Sequence, residues 1–151
     1  MDPRLDQIAQ YLLARSDASE FSPTAIEAPL LPHLFILDIV RDPAGRAPGL
    51  RIRLVGTAIE RAFGRSLKGL MLDAIIRGPR GDKVLERFRH CADTREPLWM
   101  RPVLQMREGP PRHVEGVAVY LNPERIYGGL IVGEPATDAT QEGFEYRSLR
   151  I

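Results

Sequence analysis

The chain has a single cysteine, Cys91, in 151 residues. An internal disulfide is therefore excluded, and the usage suits a reducing compartment. Histidine is almost as scarce. His33, His90 and His113 stand far apart with no cysteine cluster beside them, so no metal-ligand spacing exists. No apolar run is long enough to span a bilayer. The first turns carry Asp2, Arg4 and Asp6 where a signal peptide would be apolar. The expected location is the cytoplasm, without membrane association. No Ser/His/Asp or Cys/His arrangement has supporting context. Gly78-Pro79-Arg80-Gly81-Asp82-Lys83 lacks the order of a phosphate loop. It reads as a breaker before a helix, and its Arg-Gly-Asp tripeptide as chance.

What is present fits one globular domain with its own core: 44% hydrophobic and 27% charged residues. The net charge of +1 hides an asymmetry. Residues 51–89 hold 10 Lys/Arg and 4 Asp/Glu. Such a segment either attracts an anionic partner or forms a solvated helical face, and the second reading is the favoured one.

The stretch from Arg51 to Ile76 organises the rest. Leu50, Ile52 and Leu54 alternate with Arg51 and Arg53, the period of a half-buried strand. Gly56 ends it. Thr57 and Glu60 have the spacing of a capping box, and Ala58, Ile59, Ala62 and Phe63 share a helical face. A second apolar run, Leu70 to Ile76, predicts another short helix. Helices this short need a sheet to hold them.

Along the chain, Leu5, Ile8, Ala9, Leu12 and Leu13 form the stripe of an amphipathic helix from Pro3 to about Arg15. A proline-containing connector follows. Strands are predicted over 34–40, 50–55, 97–107, 112–122 and 126–133, and helices over 57–63, 69–76 and 82–94. Pro102 inside the third strand marks a position where one N–H is not needed. Residues 136–151 lack a sustained period and read as a tail, although Phe144, Tyr146, Leu149 and Ile151 alternate weakly. The organisation is an N-terminal helix and connector over 1–30, a body over 31–135, and the tail. The layer rules make this α+β: one antiparallel sheet with helices on one face, plus the N-terminal helix.

The runs LPHLFILDIV (31–40), RIRLVGTAIERAFGRSLKGLMLD (51–73), EPLWM (96–100) and YGGLIVGEP (127–135), in this order, resemble a PAS domain. The similarity is greatest to the PAS-like family common in alphaproteobacteria. The resemblance implies a five-stranded sheet in the order 2-1-5-4-3, a role in sensing or dimerisation, and in some members a buried cofactor. It implies no fixed catalytic residues, and no catalytic, cofactor or metal residue is assigned here. Some PAS domains hold heme through a histidine on the long helix before the third strand. His90 lies on that helix, but at 100° per residue it points away from the Val84, Phe88 and Cys91 face, so heme is not expected. Flavin is not expected either, because the Asn-Cys-Arg-Phe-Leu motif of the flavin-binding members is absent.

The inner face of the predicted sheet gathers Leu54, Phe63, Leu67, Met71, Ile75, Phe88, Met100, Leu104, Val117, Val119, Leu130 and Val132. They form either a filled core or a pocket for a small apolar ligand, with the filled core favoured. Trp99 and Val103 face the other way, and an apolar patch there needs a cover. Leu5, Ile8 and Leu12 are the expected cover, from the same subunit or a dimer mate. The expected function is a stand-alone PAS-type sensory or protein-interaction module in bacterial signalling, without its own effector. It is expected to be a homodimer with a signalling protein as partner, and not an enzyme. The rival reading is a small-molecule-binding protein or minor enzyme using the inner pocket. Nucleic-acid binding is not expected, because the basic segment lacks interleaved aromatics.

Overall fold

A computed structural model describes residues 1–45, 47–136 and 144–149. Among them the elements are α1 (Pro3–Leu13), β1 (Leu34–Val40), β2 (Gly49–Val55), α2 (Thr57–Phe63), α3 (Gly78–Thr94), β3 (Leu98–Arg101), β4 (Val103–Leu104), β5 (Arg112–Leu121), β6 (Arg125–Pro135) and β7 (Glu145–Ser148), with short 3-10 turns between them. The architecture is α+β. One seven-stranded sheet runs β2-β1-β6-β5-β3-β7, with β4 paired to β5, and every ladder is antiparallel.

The helices divide between the two faces of the sheet. On the outer face lies α1. Asp2 caps it by accepting from the Arg4 amide at 2.8 Å, and Pro3 occupies the first helical position, where its missing N–H costs nothing. Leu5, Ile8, Ala9 and Leu12, at helical spacing, are buried on β5 and β6. The larger three contribute about 2 kcal/mol each by leaving water. α1 sits close because β6 has Gly129 beneath it: a Cβ there would lie 2.9 Å from Ile8 Cδ1 and 3.0 Å from Leu5 Cδ2. Residues 18–33 extend this cover through Phe21, whose ring lies 4.7 Å from that of Tyr127, and through Ile26 and Leu30.

The inner face is covered by α2, α3 and the irregular 64–77 connection. Ile59 and Phe63 of α2, and Val84, Leu85, Phe88, Cys91 and Ala92 of α3, face Phe35, Leu37, Ile52, Met100, Leu104 and Val114 of the sheet. Two clusters therefore form, one on each face of the sheet, and the sheet is their common wall.

Several expectations are corrected. The capping box at Thr57 does not form. Gly56 is the N-cap, and the Glu60 carboxylate instead accepts from the Leu67 amide at 3.0 Å. Over 69–76 only a 3-10 turn, Leu72–Ala74, appears. α3 begins at Gly78, four residues before the predicted start, because Pro79 is welcome in a first turn. The third strand is split at Pro102 into β3 and β4. Part of the tail forms β7 on the β3 edge, with Met100 opposite Tyr146 and Trp99 opposite Arg147. Ile151 lies outside the described residues.

Candidate inner cavity

Between the inner face of the sheet and its helical cover lies a cavity of about 50 Å³. Its wall joins every inner element. The sheet supplies Phe35, Leu37, Ile52, Val55, Met100, Pro102, Leu104, Val114 and Leu130; α2 supplies Ile59 and Phe63; α3 supplies Val84 and Phe88. Leu67, Leu72, Ile75 and Ile76 close it from the connection. The rings of Phe35 and Phe88 meet edge to face at 5.8 Å, a favoured aromatic geometry. Phe35 fits there because β6 has Gly128 beside it: a Cβ at Gly128 would collide with that ring and with the Val117 carbonyl.

Of the twelve residues expected in this site, Phe63, Leu67, Ile75, Phe88, Met100, Leu104 and Leu130 line the cavity. Five do not. Val132 is half-buried against the inner cluster and lies outside the lining. Leu54 points out and is 45% exposed. The cause is a bulge: Ile36 pairs with Leu54 but Leu37 with Ile52, so Arg53 is an extra residue and strict alternation fails. Val55 takes the inward place instead. Met71 is half-buried at the β2 edge, where its Cε lies 2.8 Å from the position of a Cβ on Gly49. Val117 and Val119 belong to the outer cluster with α1. β5 alternates between the two faces, and the set with Val117 and Val119 faces outward. Its inward positions include Gly116 and Ala118, and Leu130 and Met100 reach across Gly116. The outer cluster unites Leu5, Ile8, Leu12 and Trp99. Val103 is buried but lies outside that cluster.

The chemistry open to this wall is narrow. Every lining side chain is apolar, so the space holds no acid, base or nucleophile. Among the described residues no group of His, Cys, Asp and Glu could hold a metal ion. Cys91 packs in the inner cluster at 1% exposure, and burial pushes its thiol up to about 12 despite a hydrogen bond with the Tyr120 backbone. It is a thiol at neutral pH, without thiolate reactivity. The His90 side chain is exposed, with Nε2 3.8 Å from a Glu96 carboxylate oxygen. His33 lies away from the cavity, near Arg4 and Asp2. Burial and then the Arg4 charge lower its pKa, against smaller opposing effects of the Leu130 backbone and Asp2.

A polar tie lies on the opposite face, and sequence reasoning missed it. Trp99 Nε1 donates to a Glu115 carboxylate oxygen at 2.7 Å, and the same carboxylate accepts from the Asp2 amide at 3.1 Å. Arg101 and Arg147 lie over the Trp99 ring at 5.1 and 4.7 Å. One carboxylate thus joins the start of α1 to β5 and β3. The signal was present as a charged residue in the apolar run of β5.

No protein-family model matches the chain, and no curated protein matches it either. Among the described residues no helix is long and apolar enough to cross a membrane.

Proposed function

We propose that the chain is a PAS-type sensory or protein-interaction domain that acts by binding and carries out no chemistry of its own. The observation that carries this reading is the inner cavity, enclosed by sheet and helices and lined by apolar side chains alone. Such a wall can hold or exclude a small apolar molecule, and has no group to transform one. The strand order adds support. If β3 and β4 are counted as one strand broken at Pro102, the path β2-β1-β6-β5-β3 is consistent with the 2-1-5-4-3 order that the resemblance implies, with β7 added at its edge. The short α2 and the irregular connection over the cavity are the parts best able to answer a ligand. A ligand shifts such a domain only as far as its affinity differs between two conformations. Homodimerisation and a signalling partner are part of the same reading.

Native mass spectrometry of freshly purified protein tests it, by reporting retained small molecules and subunit number together. Leu104→Trp fills the cavity and is expected to abolish retention of any apolar molecule. Cys91→Ala and His90→Ala are expected to leave retention and partner binding intact. A turnover activity abolished by either of those two substitutions in a folded protein would overturn the proposal.

A further inference from the structure

One side of the sheet is closed by the strand nearest the end of the chain. Among the described strands β7 is the outermost on the β3 side. The pairs Leu98↔Ser148, Trp99↔Arg147, Met100↔Tyr146 and Arg101↔Glu145 make its ladder. The Leu149 amide extends it by donating to the Pro97 carbonyl at 2.9 Å. Side chains add little to this hold. All four residues of β7 are exposed. Phe144 and Leu149, on either side of them, are half-buried, Phe144 against the inner cluster and Leu149 against the outer one. Arg87 lies over the Tyr146 ring and Arg147 over the Trp99 ring, and such pairs are weak where water reaches them. A strand fixed by exposed hydrogen bonds and little apolar burial opens before the rest of a domain.

The seat is also underfilled. Alternation turns Tyr146 and Ser148 to the inner side, opposite Met100 and Leu98. Between β7 and α3 lies a hollow of about 100 Å³. Its wall includes the buried Cys91 and Leu98, with Arg87, His90 and Glu96 as polar members. β7 borders this hollow with Ser148, a side chain too small to occupy it. Elsewhere in a folded chain such space is normally filled.

We propose that the edge of β3 is a docking site for an extended segment of a partner protein, and that residues 144–149 hold the site until the partner displaces them. At a sheet edge the backbone ladder supplies affinity and alternate side chains supply specificity. The resident segment shows what the edge accepts: an aromatic side chain at the place of Phe144, another at Tyr146, and a leucine at Leu149. The hollow beside Ser148 shows what the resident lacks. The partner segment carries a large apolar side chain at that place, directed at Cys91 and Leu98. This inference rests on the proposed reading only for the existence of a protein partner. The hollow and the inner cavity share no lining residue.

The test uses the full chain carrying Leu149→Ser, which loosens the resident and leaves residues 97–101 unchanged. Three fluorescein-labelled peptides are the probes: Phe-Glu-Tyr-Arg-Leu-Leu, the chain's own Phe-Glu-Tyr-Arg-Ser-Leu, and a scrambled form of the first. The first is expected to bind saturably, about tenfold tighter than the second, because one leucine side chain leaves water. The scrambled peptide should not saturate. The unsubstituted chain should bind the first peptide about tenfold more weakly than Leu149→Ser, because only molecules with the resident released are competent. A second measurement does not depend on Leu149→Ser folding. Ser148→Leu in the otherwise unchanged chain fills the hollow from within, and should slow amide hydrogen exchange over residues 145–148 by about tenfold. No saturable binding to the Leu149→Ser chain, equal binding of the scrambled peptide, no preference for leucine over serine, or unchanged exchange in Ser148→Leu would overturn the proposal. Any of these results alongside a small molecule retained in native mass spectrometry strikes this docking site and leaves the proposed binding domain standing.

Discussion

The two faces of the sheet are packed by different means. Outside, one 11-residue helix with a continuous stripe lies across β5 and β6. Inside, α2 has seven residues, the connection to α3 is irregular, and only α3 is long. The outer hollow beside Leu12, Phe21 and Tyr127 leaves no room for a water-sized sphere. The inner cavity leaves about 50 Å³. The outer face also carries a polar tie, from Glu115 to Trp99 and the Asp2 amide, while the cavity wall carries none. One regular helix can be fitted to a sheet along its whole length. Several short pieces meeting over the same area leave a gap where they converge. Space is thus concentrated under the part of the cover that is least regular, which is where a binding domain would need it.

The contrast is sharpest at two adjacent glycines. Gly128 faces Phe35 and the Val117 backbone, and Gly129 faces Ile8 and Leu5 of α1. Gly128→Val should destabilise the fold by more than about 4 kcal/mol, because a carbonyl in the sheet cannot move aside. Gly129→Ala meets only the far ends of flexible side chains, so its cost should be about 1–2 kcal/mol. Urea unfolding of both variants checks the ranking. Equal costs would mean that α1 is seated as rigidly as the sheet itself.

Much of this was legible in the sequence. The α1 stripe is buried as its spacing requires, and α3 and the five principal strand regions are in place. Seven of the twelve residues expected on the inner face reach the cavity. The misses have particular causes. Alternation separates Val114, Ala118 and Tyr120 from Val117, Val119 and Leu121, but it does not say which set faces which helix. Both sets in β5 are apolar because both faces are covered, and only tertiary packing breaks the tie. Leu54 was lost to one extra residue at a bulge, which leaves no mark on the apolar pattern. β7 has four exposed residues and little burial to advertise it. It is held by its ladder with β3, with Arg87 over the Tyr146 ring at 4.4 Å.

The second prediction concerns charge beside the inner cavity. Cys91 has no means of ionising there cheaply, and its thiol is pushed up to about 12 by burial. In the unfolded chain it titrates near its ordinary value of about 8.5. Between these limits the unfolded state releases the proton and the native state keeps it, so stability falls as pH rises. Below about pH 8 the contribution is fully present and flat; above it the slope approaches about 1.4 kcal/mol per pH unit. Lysines and tyrosines titrate in the same range, so the measurement is the difference between the native chain and Cys91→Ala from pH 7 to 10.5. The stability gap between them should narrow by about 2.7 kcal/mol across that range. A constant gap would show that water reaches the sulfur, and the inner side would then be no drier than the outer.

The smallest expected effect bears most directly on the cavity. Val114 lines it, is 1% exposed, and comes from the rigid central strand β5. Val114→Ile adds one methylene toward a space of about 50 Å³, enough for the new group without displacing neighbours. The gain should be about 0.5–1 kcal/mol, the usual yield of filling a void with apolar atoms. The matching change outside, Val119→Ile in the filled cluster under α1, has no such space and should be neutral or destabilising. The sign of the difference therefore matters more than its size. If both substitutions destabilise, the inner face is as tightly filled as the outer. If Val114→Ile stabilises the purified protein only after it has been unfolded, extracted with organic solvent and refolded, the space was occupied by an apolar molecule beforehand. The same single methylene then distinguishes an empty cavity from an occupied one.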